Sequence, residues 1–219
     1  RNFAIWRTLS EKDEYLSMYE RFVINQKIRN LKVKLEKRFK NNSHLDDLSV
    51  KIMIGTVNSD DTFTFYSRYE RNKKKAINEE RHQVGSTIKP IIYSVFEDLG
   101  LDINGDVSTE PIELTLNSGP WSPRDAHKAE NPEISIVEAL LKSYNRPVIR
   151  IANELGFDNV EKELKLYFPE LRKPLAQFPA QLLGSLEMSV ADLFDSYSRF
   201  ISKECHKILT GKRDEEDSV

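Results

Sequence analysis

The sequence is poor in the residues and runs that a disulfide scaffold, a metal centre or a membrane span requires. Cys205 is the only cysteine, so no disulfide can form within the chain. The histidines lie far apart, without the spacing of metal ligands, at His44, His82, His127 and His206. We therefore expect no metal site, and no motif points to a cofactor. No apolar run approaches the roughly 20 residues that cross a bilayer, and no signal-peptide pattern is present.

The chain also lacks an excess of either charge. Lys and Arg number 33 against 35 Asp and Glu, which leaves a formal net charge of −2 and no basic stripe of the kind that nucleic acid selects. Hydrophobic residues make up 39% and charged residues 31% of the 219 positions. These values describe a rather polar globular chain with room for one large or two small domains.

What the sequence does contain is a Ser-x-x-Lys pair, Ser86 and Lys89, behind Gly85 and at the start of a helical pattern. Residues three apart share a helix face, so the hydroxyl and the amine can meet. A neutral lysine can activate a serine hydroxyl as a nucleophile, and free N–H groups at a helix start can stabilise an oxyanion. Taken alone, the pair favours the simpler interpretation of a solvated first helical turn, because such spacing arises by chance.

A second short motif, Ser143-Tyr144-Asn145, weighs against chance, since it is the only Ser-x-Asn in the chain. Ser-x-x-Lys followed by Ser-x-Asn is the order found in the serine penicillin-recognising enzymes. The flanking residues narrow the match to four motifs in sequence order. These are Arg81 to Pro90 (R-x-x-G-S-x-x-K-P), Trp121-Ser122-Pro123 (W-x-P), Ser143 to Val148 (S-x-N-x-P followed by an apolar residue), and Leu183 to Ser189 (L-G-S-x-E-x-S) with Tyr197 and Phe200. The region from Val50 to Ser202 thereby resembles the transpeptidase domain of bifunctional class A penicillin-binding proteins.

The resemblance implies an α+β fold, with a helical cluster packed on an antiparallel sheet that this chain holds only in part. Residues 1–47 are expected to be a helical linker, with a capping box at Ser10 and Asp13, and residues 48–219 the N-terminal portion of the transpeptidase domain. Val50–Val57 and Thr62–Tyr66 predict a hairpin, and Arg71 to Lys75 a solvated loop. Further helices are predicted at 88–99, 134–142, 146–155, 158–167 and 189–200, with a long irregular connection at 101–128.

The same resemblance implies the site. Ser86 would attack the penultimate D-alanine carbonyl of a peptidoglycan stem peptide ending in D-Ala-D-Ala, and Lys89 would take its proton. Ser143 would relay a proton to the leaving nitrogen, while Asn145 would bind the substrate amide and help to fix Lys89. The expected substrate-binding residues are Gly85, Tyr144 and Trp121. For Trp121, packing in the core is favoured over a position in the wall of the substrate groove. β-Lactam antibiotics would acylate the same serine.

One family motif is missing, since no K-T-G or K-S-G triplet follows Asn145 and Thr210-Gly211-Lys212 has the wrong order. We therefore expect a downstream segment to supply that strand. Arg1 is not a natural start, and the resemblance places a glycosyltransferase domain and a membrane anchor upstream. Without the missing strand, the apolar hairpin residues Ile52, Ile54, Phe63 and Phe65 would lack part of their packing.

The sequence leaves two alternative functions open. One is a non-catalytic β-lactam-binding sensor or scaffold, and the other is a hydrolase of the D,D-carboxypeptidase or β-lactamase type. The W-x-P and L-G-S-x-E flanks favour a transpeptidase over a hydrolase. The resemblance also implies a periplasmic location, on the outer face of a bacterial cytoplasmic membrane.

Overall fold

The computed structural model describes separate residues between 22 and 38, the strands at 50–57 and 63–71, and residues 80–169 and 171–210. The chain divides into two units. One comprises Arg1–Glu79 with Ile201–Val219, and the other is Glu80–Phe200. All of the expected site residues belong to the second unit.

The predicted hairpin is present in the first unit. Strand β1 (Val50–Val57) matches its predicted bounds and pairs antiparallel with β2 (Phe63–Arg71), with a bulge between Ile54 and Gly55. Strand β2 is longer than predicted, since Thr62–Tyr66 covers only its first half. Its register sets Lys51 opposite Glu70 and Val50 opposite Arg71. The side chains of the two strands, and with them the packing of Ile52, Ile54, Phe63 and Phe65, lie outside the described residues, as do the hairpin turn and 72–75.

The described residues between 22 and 38 are helical, in agreement with the helix expected over the first 47 residues. The sequence predicts an imperfect apolar stripe along this helix, and three of its residues, Phe22, Leu31 and Val33, are 56%, 41% and 47% exposed. The Ser10–Asp13 capping box and the rest of that stretch lie outside the described residues.

Helix α1 (Lys89–Asp98) begins the second unit's helical cluster and follows a 3₁₀ turn at Gly85–Ile88. The predicted apolar stripe is buried, with Ile91, Ile92 and Phe96 fully inaccessible. Pro90 lies in the first turn, where its missing N–H costs no helical hydrogen bond. The helix therefore forms where the periodicity predicts it, and its first residue is the lysine of the Ser-x-x-Lys pair.

The next helix begins later than predicted. Residues Glu133–Ser135 form strand β7, and only Ile136–Leu141 form helix α2. Ser135 is extended and its hydroxyl accepts a 3.1 Å hydrogen bond from the Glu138 N–H, so it caps the helix and excludes Ile134 from it. The sequence also predicts that Ile136, Val137, Leu140 and Leu141 face inward, and this is partly wrong. Ile136 is buried, but Val137 and Leu141 are 46% and 78% exposed.

Helix α3 (Arg146–Leu155) has its predicted bounds and buries Val148, Ile149 and Ala152. Helix α4 (Phe157–Leu164) was predicted to continue to Tyr167 but ends earlier. The Leu166 and Tyr167 N–H groups bond three residues back, to Glu163 and Leu164, which tightens the last turn ahead of Pro169.

Short strands occupy part of the connection that was predicted to be irregular. They are β4 (Asp106–Ser108), which pairs with β7, and β5 (Leu114–Leu116), which pairs with β6 (Gly119–Trp121). Strand β3 (His82–Gln83) pairs with β8 (Glu187–Met188), which lies beyond the 3₁₀ turn at Pro179–Leu183. All sheets among the described residues are two-stranded and antiparallel.

Helix α5 (Val190–Thr210) begins at the predicted capping box and runs ten residues past its predicted end at Phe200. The Asp192 N–H donates to the Ser189 hydroxyl and the Ser189 N–H donates to the Asp192 carboxylate, both at 3.1 Å. Residues 211–219, expected to fray, lie outside the described residues.

The core of the second unit lies where α1 packs against α2, α3 and α4. Its fully buried side chains include Ile91, Ile92, Phe96, Ile149, Leu164, Phe168, Leu175 and Leu182. The architecture is thus α+β, with helices dominating and small antiparallel ladders at the edges. No helix within the described residues is both long enough and apolar enough to cross a bilayer.

Candidate active site

Ser86 lies in the 3₁₀ turn that leads into α1, with its side chain exposed. Gly85 before it has a φ of +58°, a left-handed conformation that glycine adopts without strain. The turn therefore presents the Ser86 hydroxyl to solvent at a helix start, which is where an incoming carbonyl could reach both the hydroxyl and nearby N–H groups.

Lys89 is buried although it is charged in its ordinary state, with 1% of the residue exposed. Its Nζ lies within hydrogen-bond distance of four oxygens: Ser143 O at 2.6 Å, Asn145 Oδ1 at 2.8 Å, Tyr144 O at 3.0 Å and Ser143 Oγ at 3.1 Å. The fold thus brings the Ser-x-x-Lys and Ser-x-Asn motifs together across more than fifty residues of sequence. Ser86 shares the turn with Lys89, but none of these four contacts goes to its hydroxyl.

Burial lowers the pKa of Lys89 to about 8, while the negative charge of Asp125 acts in the opposite direction. A lysine with that pKa is about one-tenth neutral at pH 7. Of its four oxygen neighbours, only Ser143 Oγ carries a proton that it can donate. The neutral amine can therefore accept from the Ser143 hydroxyl while its two N–H groups donate to two of the three carbonyl oxygens.

Ser143 adopts an unusual backbone conformation that places its motif. Its φ is +58°, and it is the sole non-glycine residue with positive φ in the described part of the chain. The Tyr144 N–H bonds to Ala139 O and the Ser143 N–H to Leu140 O, each at 3.0 Å, which is the Schellman pattern that ends a helix. Glycine usually occupies this position, so keeping serine here costs about 1 kcal/mol or more. Such strain is typical of functional sites.

Asp125 is a residue of the site that the sequence did not reveal, and it contacts the backbone at Asn145 and Arg146. Its Oδ1 accepts from the backbone N–H groups of Asn145 and Arg146, and its Oδ2 lies 3.6 Å from Arg146 Nε. The carboxylate is almost inaccessible, at 6% exposed. It therefore satisfies the free N–H groups at the start of α3 and fixes the backbone of Asn145. No local pattern could reveal this contact, because the carboxylate caps a helix that starts twenty residues later.

The Leu183–Ser189 motif has a structural role next to Ser86. The Gly85 N–H donates to Gly184 O and the Val84 N–H to Leu186 O, both at 3.0 Å. Gly184 has a φ of +87°, and a Cβ added to it would overlap the backbone of Gly85. The glycine is thus required by close backbone contact with the turn that carries Ser86.

Two longer side chains add contacts between the Leu183–Ser189 region, the start of α5 and the segment around Ser86. The Arg81 guanidinium donates to Glu187 O at 2.9 Å and to the Asp192 carboxylate at 3.1 Å. The Tyr197 hydroxyl donates to Thr87 O. Gly184, Leu186 and Tyr197, which belong to the fourth motif and its flank, therefore contact the backbone around Ser86 directly.

The three expected substrate-binding residues differ in their burial and in their contacts. Gly85 shapes the Ser86 turn, and the ring of Tyr144 is buried, at 5% exposed, with its carbonyl directed to Lys89. Trp121 is half-buried, packs against the core and also lines a cavity, so both interpretations of it describe part of its environment. Among the described residues, no cluster of His, Cys, Asp or Glu could hold a metal ion.

Comparisons with known proteins give matches that cover part of the chain. No family model matches the chain. It is 28% identical to penicillin-binding protein 1B of Haemophilus influenzae over 134 residues, which cover 59% of this chain and 17% of that protein. It is also 28% identical to penicillin-binding protein 1B of Escherichia coli over 159 residues, which cover 70% of this chain and 17% of that protein.

The chain is a relative of the class A penicillin-binding proteins. This confirms the family expected from the four motifs. The crystal structure of penicillin-binding protein 1A from Haemophilus influenzae matches with a TM-score of 0.59 and 21% identity, covering 69% of this chain and 23% of that one. The match supports the expected α+β fold of a penicillin-binding protein. The chain spans about 17% of the length of the two curated relatives.

Proposed function

We propose that this chain supplies the acylating residues of a peptidoglycan D,D-transpeptidase, with Ser86 as the nucleophile. The observation that carries the proposal is the position of Lys89. Its buried amine lies one turn after an exposed serine and contacts both Ser143 Oγ and Asn145 Oδ1. An amine with a lowered pKa that contacts one serine hydroxyl and follows a second serine by one turn suits proton transfer during acyl transfer.

In the proposed reaction, Ser86 Oγ attacks the penultimate D-alanine carbonyl of a stem peptide, and Lys89 Nζ accepts the hydroxyl proton. The backbone N–H of Ser86 donates to the oxyanion. The proton returns through the Ser143 hydroxyl to the nitrogen of the departing D-alanine, and an ester forms on Ser86. Asn145 holds Lys89 through its Oδ1. An amine from a second stem peptide then releases the acyl group as a cross-link. A β-lactam would acylate the same serine through opening of its ring amide, with the ring nitrogen as the leaving group.

The wider assembly belongs to this proposal. A segment carrying K-T-G, outside this sequence, would complete the sheet and the oxyanion site. A glycosyltransferase domain and a membrane anchor would precede the chain, as in the class A architecture, and the site would face the periplasm. Residues 1–47 would be the linker and 48–219 the N-terminal part of the transpeptidase domain.

The rate of acylation by penicillin is expected to rise with pH. Only neutral Lys89 can accept the Ser86 proton, and its pKa is about 8. The neutral fraction grows from about 1% at pH 6 to about half at pH 8, and then levels off. Stopped-flow or gel-based labelling of the full-length protein with fluorescent penicillin between pH 6 and pH 9 measures this rise, which is the acid limb of the pH–rate profile. A rate that stays constant across the range would remove Lys89 from the role of base.

The Asp125→Asn variant tests whether Asp125 is a positioning residue that acts through Lys89. Asparagine keeps an oxygen that can accept from Asn145, but it lacks the negative charge that raises the pKa of Lys89. The acid limb should therefore move to lower pH. If Asp125 had only a structural role, the rate would fall equally at every pH and the limb would stay in place.

A further inference from the structure

Two buried side-chain atoms near the candidate active site have no hydrogen-bond partner among the described residues. They are the hydroxyl oxygen of Tyr93 and Nε of Arg146. The whole Tyr93 residue is 2% exposed, so bulk water does not reach its hydroxyl. Buried polar atoms in folded proteins are nearly always bonded to the protein or to an ordered water molecule. These two atoms therefore require a partner that the neighbouring side chains do not supply directly.

Both atoms belong to residues near Asp125. Arg146 Nε lies 3.6 Å from Asp125 Oδ2, a separation longer than a hydrogen bond. Tyr93 lies one turn after Lys89 on α1 and therefore shares a helix face with it. Burial raises the pKa of the Tyr93 phenol, and the negative charge of Asp125 raises it further, so the two groups lie within electrostatic reach. The phenol keeps its proton and is a hydrogen-bond donor.

Asp125 Oδ2 is the acceptor that these two donors can share. Oδ1 of the same carboxylate already accepts from the backbone N–H groups of Asn145 and Arg146. One water molecule could donate to Oδ2 and accept from both the Tyr93 hydroxyl and Arg146 Nε. All three atoms would then have a partner, and three hydrogen bonds are the usual number for a buried water.

We propose that one buried water molecule links the Tyr93 hydroxyl and Arg146 Nε to Asp125 Oδ2, and that Tyr93 thereby acts as a positioning residue of the site. Because the carboxylate is charged, its hydrogen bonds are stronger than those between neutral groups. The opposite case is a dry site in which the Tyr93 hydroxyl is unpartnered. Removing the hydroxyl would then favour the folded state, since no bond would be lost.

The link reaches Lys89 through Asn145. With both carboxylate oxygens bonded, Asp125 cannot rotate away from the Asn145 N–H. The Asn145 side chain is held at the same segment, since its Nδ2 donates to Arg124 O at 2.6 Å, and its Oδ1 lies 2.8 Å from Lys89 Nζ. This consequence for catalysis rests on the proposed function, in which Lys89 is the base.

The Tyr93→Phe variant separates the bonded hydroxyl from the unpartnered one, because it removes the hydroxyl and keeps the ring. If the hydroxyl bonds to the water, the folding equilibrium constant of the full-length protein should fall about tenfold. Urea denaturation of the parent and the variant measures the change. An equilibrium constant that is unchanged or higher in the variant would overturn the proposal.

The Asp125→Asn background tests whether the link runs to the carboxylate. Because the asparagine oxygen must accept from the backbone, its amide nitrogen takes the place of Oδ2. The water would then face three donors with only two lone pairs, so Tyr93→Phe should cost threefold or less in this background. The matched control is Tyr167→Phe, at a buried tyrosine beyond the end of α4, whose effect should be equal in both backgrounds. A tenfold loss for Tyr93→Phe in both backgrounds would overturn the link.

Acylation by fluorescent penicillin tests the positioning role. In folded Tyr93→Phe protein, the acylation rate constant at saturating penicillin should fall about fivefold, because Asp125 and Asn145 are held less firmly. The dissociation constant of the complex that precedes acylation should not change, and Tyr167→Phe should acylate at the parent rate. A parent-like rate constant for Tyr93→Phe, or an effect on penicillin binding alone, would remove Tyr93 from the positioning role.

The two proposals fail in different ways in this design. Absence of acylation by the parent protein, with the stability coupling between Tyr93 and Asp125 intact, would contradict the proposed function alone. Normal acylation by the parent, without that coupling, would contradict the assignment of Tyr93 alone.

Discussion

Replacing Lys89 with arginine is expected to reduce acylation by penicillin about a thousandfold while the protein stays folded. Arginine keeps the positive charge and can donate to the oxygens that surround Lys89 Nζ, but it does not lose its proton at any pH at which proteins are stable. The loss corresponds to the usual contribution of a positioned general base. Rate constants for labelling by fluorescent penicillin, with circular dichroism of the same samples, measure the effect.

The matched control is Lys142→Arg. Lys142 precedes Ser143 directly, yet its ammonium is exposed and pairs with Glu138 at 2.8 Å on the helix surface. The same substitution there should leave the acylation rate unchanged. Near-normal acylation by Lys89→Arg, with an unchanged circular dichroism spectrum, would show that Lys89 is not the base.

Substituting Gly184 with alanine is expected to damage both stability and acylation. The added Cβ would overlap the backbone of Gly85, and a φ of +87° is itself strained for alanine. Together these effects should lower the free energy of unfolding by about 3 kcal/mol. If the turn shifts by about 1 Å to relieve the overlap, acylation by the folded protein should fall about a hundredfold. Urea denaturation and penicillin labelling measure the two losses.

Gly100→Ala separates the overlap from the backbone strain. Gly100 has a φ of +99°, but a Cβ there would have nothing within 4 Å. This variant should lose only the strain, about 1–2 kcal/mol, and should acylate at the parent rate. If Gly184→Ala behaves in the same way as Gly100→Ala, the close contact between Gly184 and Gly85 does not position Ser86.

The sequence predicted those parts of the fold that depend on local patterns. The apolar spacing after Ser86 predicted α1, and Arg146 to Leu155 predicted α3 with its observed bounds. The predicted start of the helix at 134–142 was wrong, because the Ser135 side chain caps α2 and leaves Ile134 in a strand. That Ser-x-x-Glu capping signal was present in the sequence. However, the apolar run that includes Ile134 fits a helix and a strand equally well, so its pattern alone does not exclude Ile134 from the helix.

The contacts that assemble the site depend on the tertiary fold and could be predicted only in part. The motifs indicated that Ser86, Lys89, Ser143 and Asn145 act together, and the structure places Lys89 against the latter two. The cap from Asp125 to Asn145, and the contact of Gly184 with Gly85, join segments that are far apart in the chain. Neither contact has a local sequence signal. The physical reason for the glycine in the L-G-S-x-E motif therefore became apparent only in three dimensions.

The central claim, that Ser86 is the nucleophile, is tested most directly by locating the penicillin adduct. The full-length protein is treated with benzylpenicillin, its intact mass is measured, and the labelled peptide is sequenced by tandem mass spectrometry. We expect one added penicilloyl group, carried by Ser86 in the peptide that contains Gly85-Ser86-Thr87. An adduct on Ser143, Ser185 or any other residue, with Ser86 unmodified, would contradict the assignment.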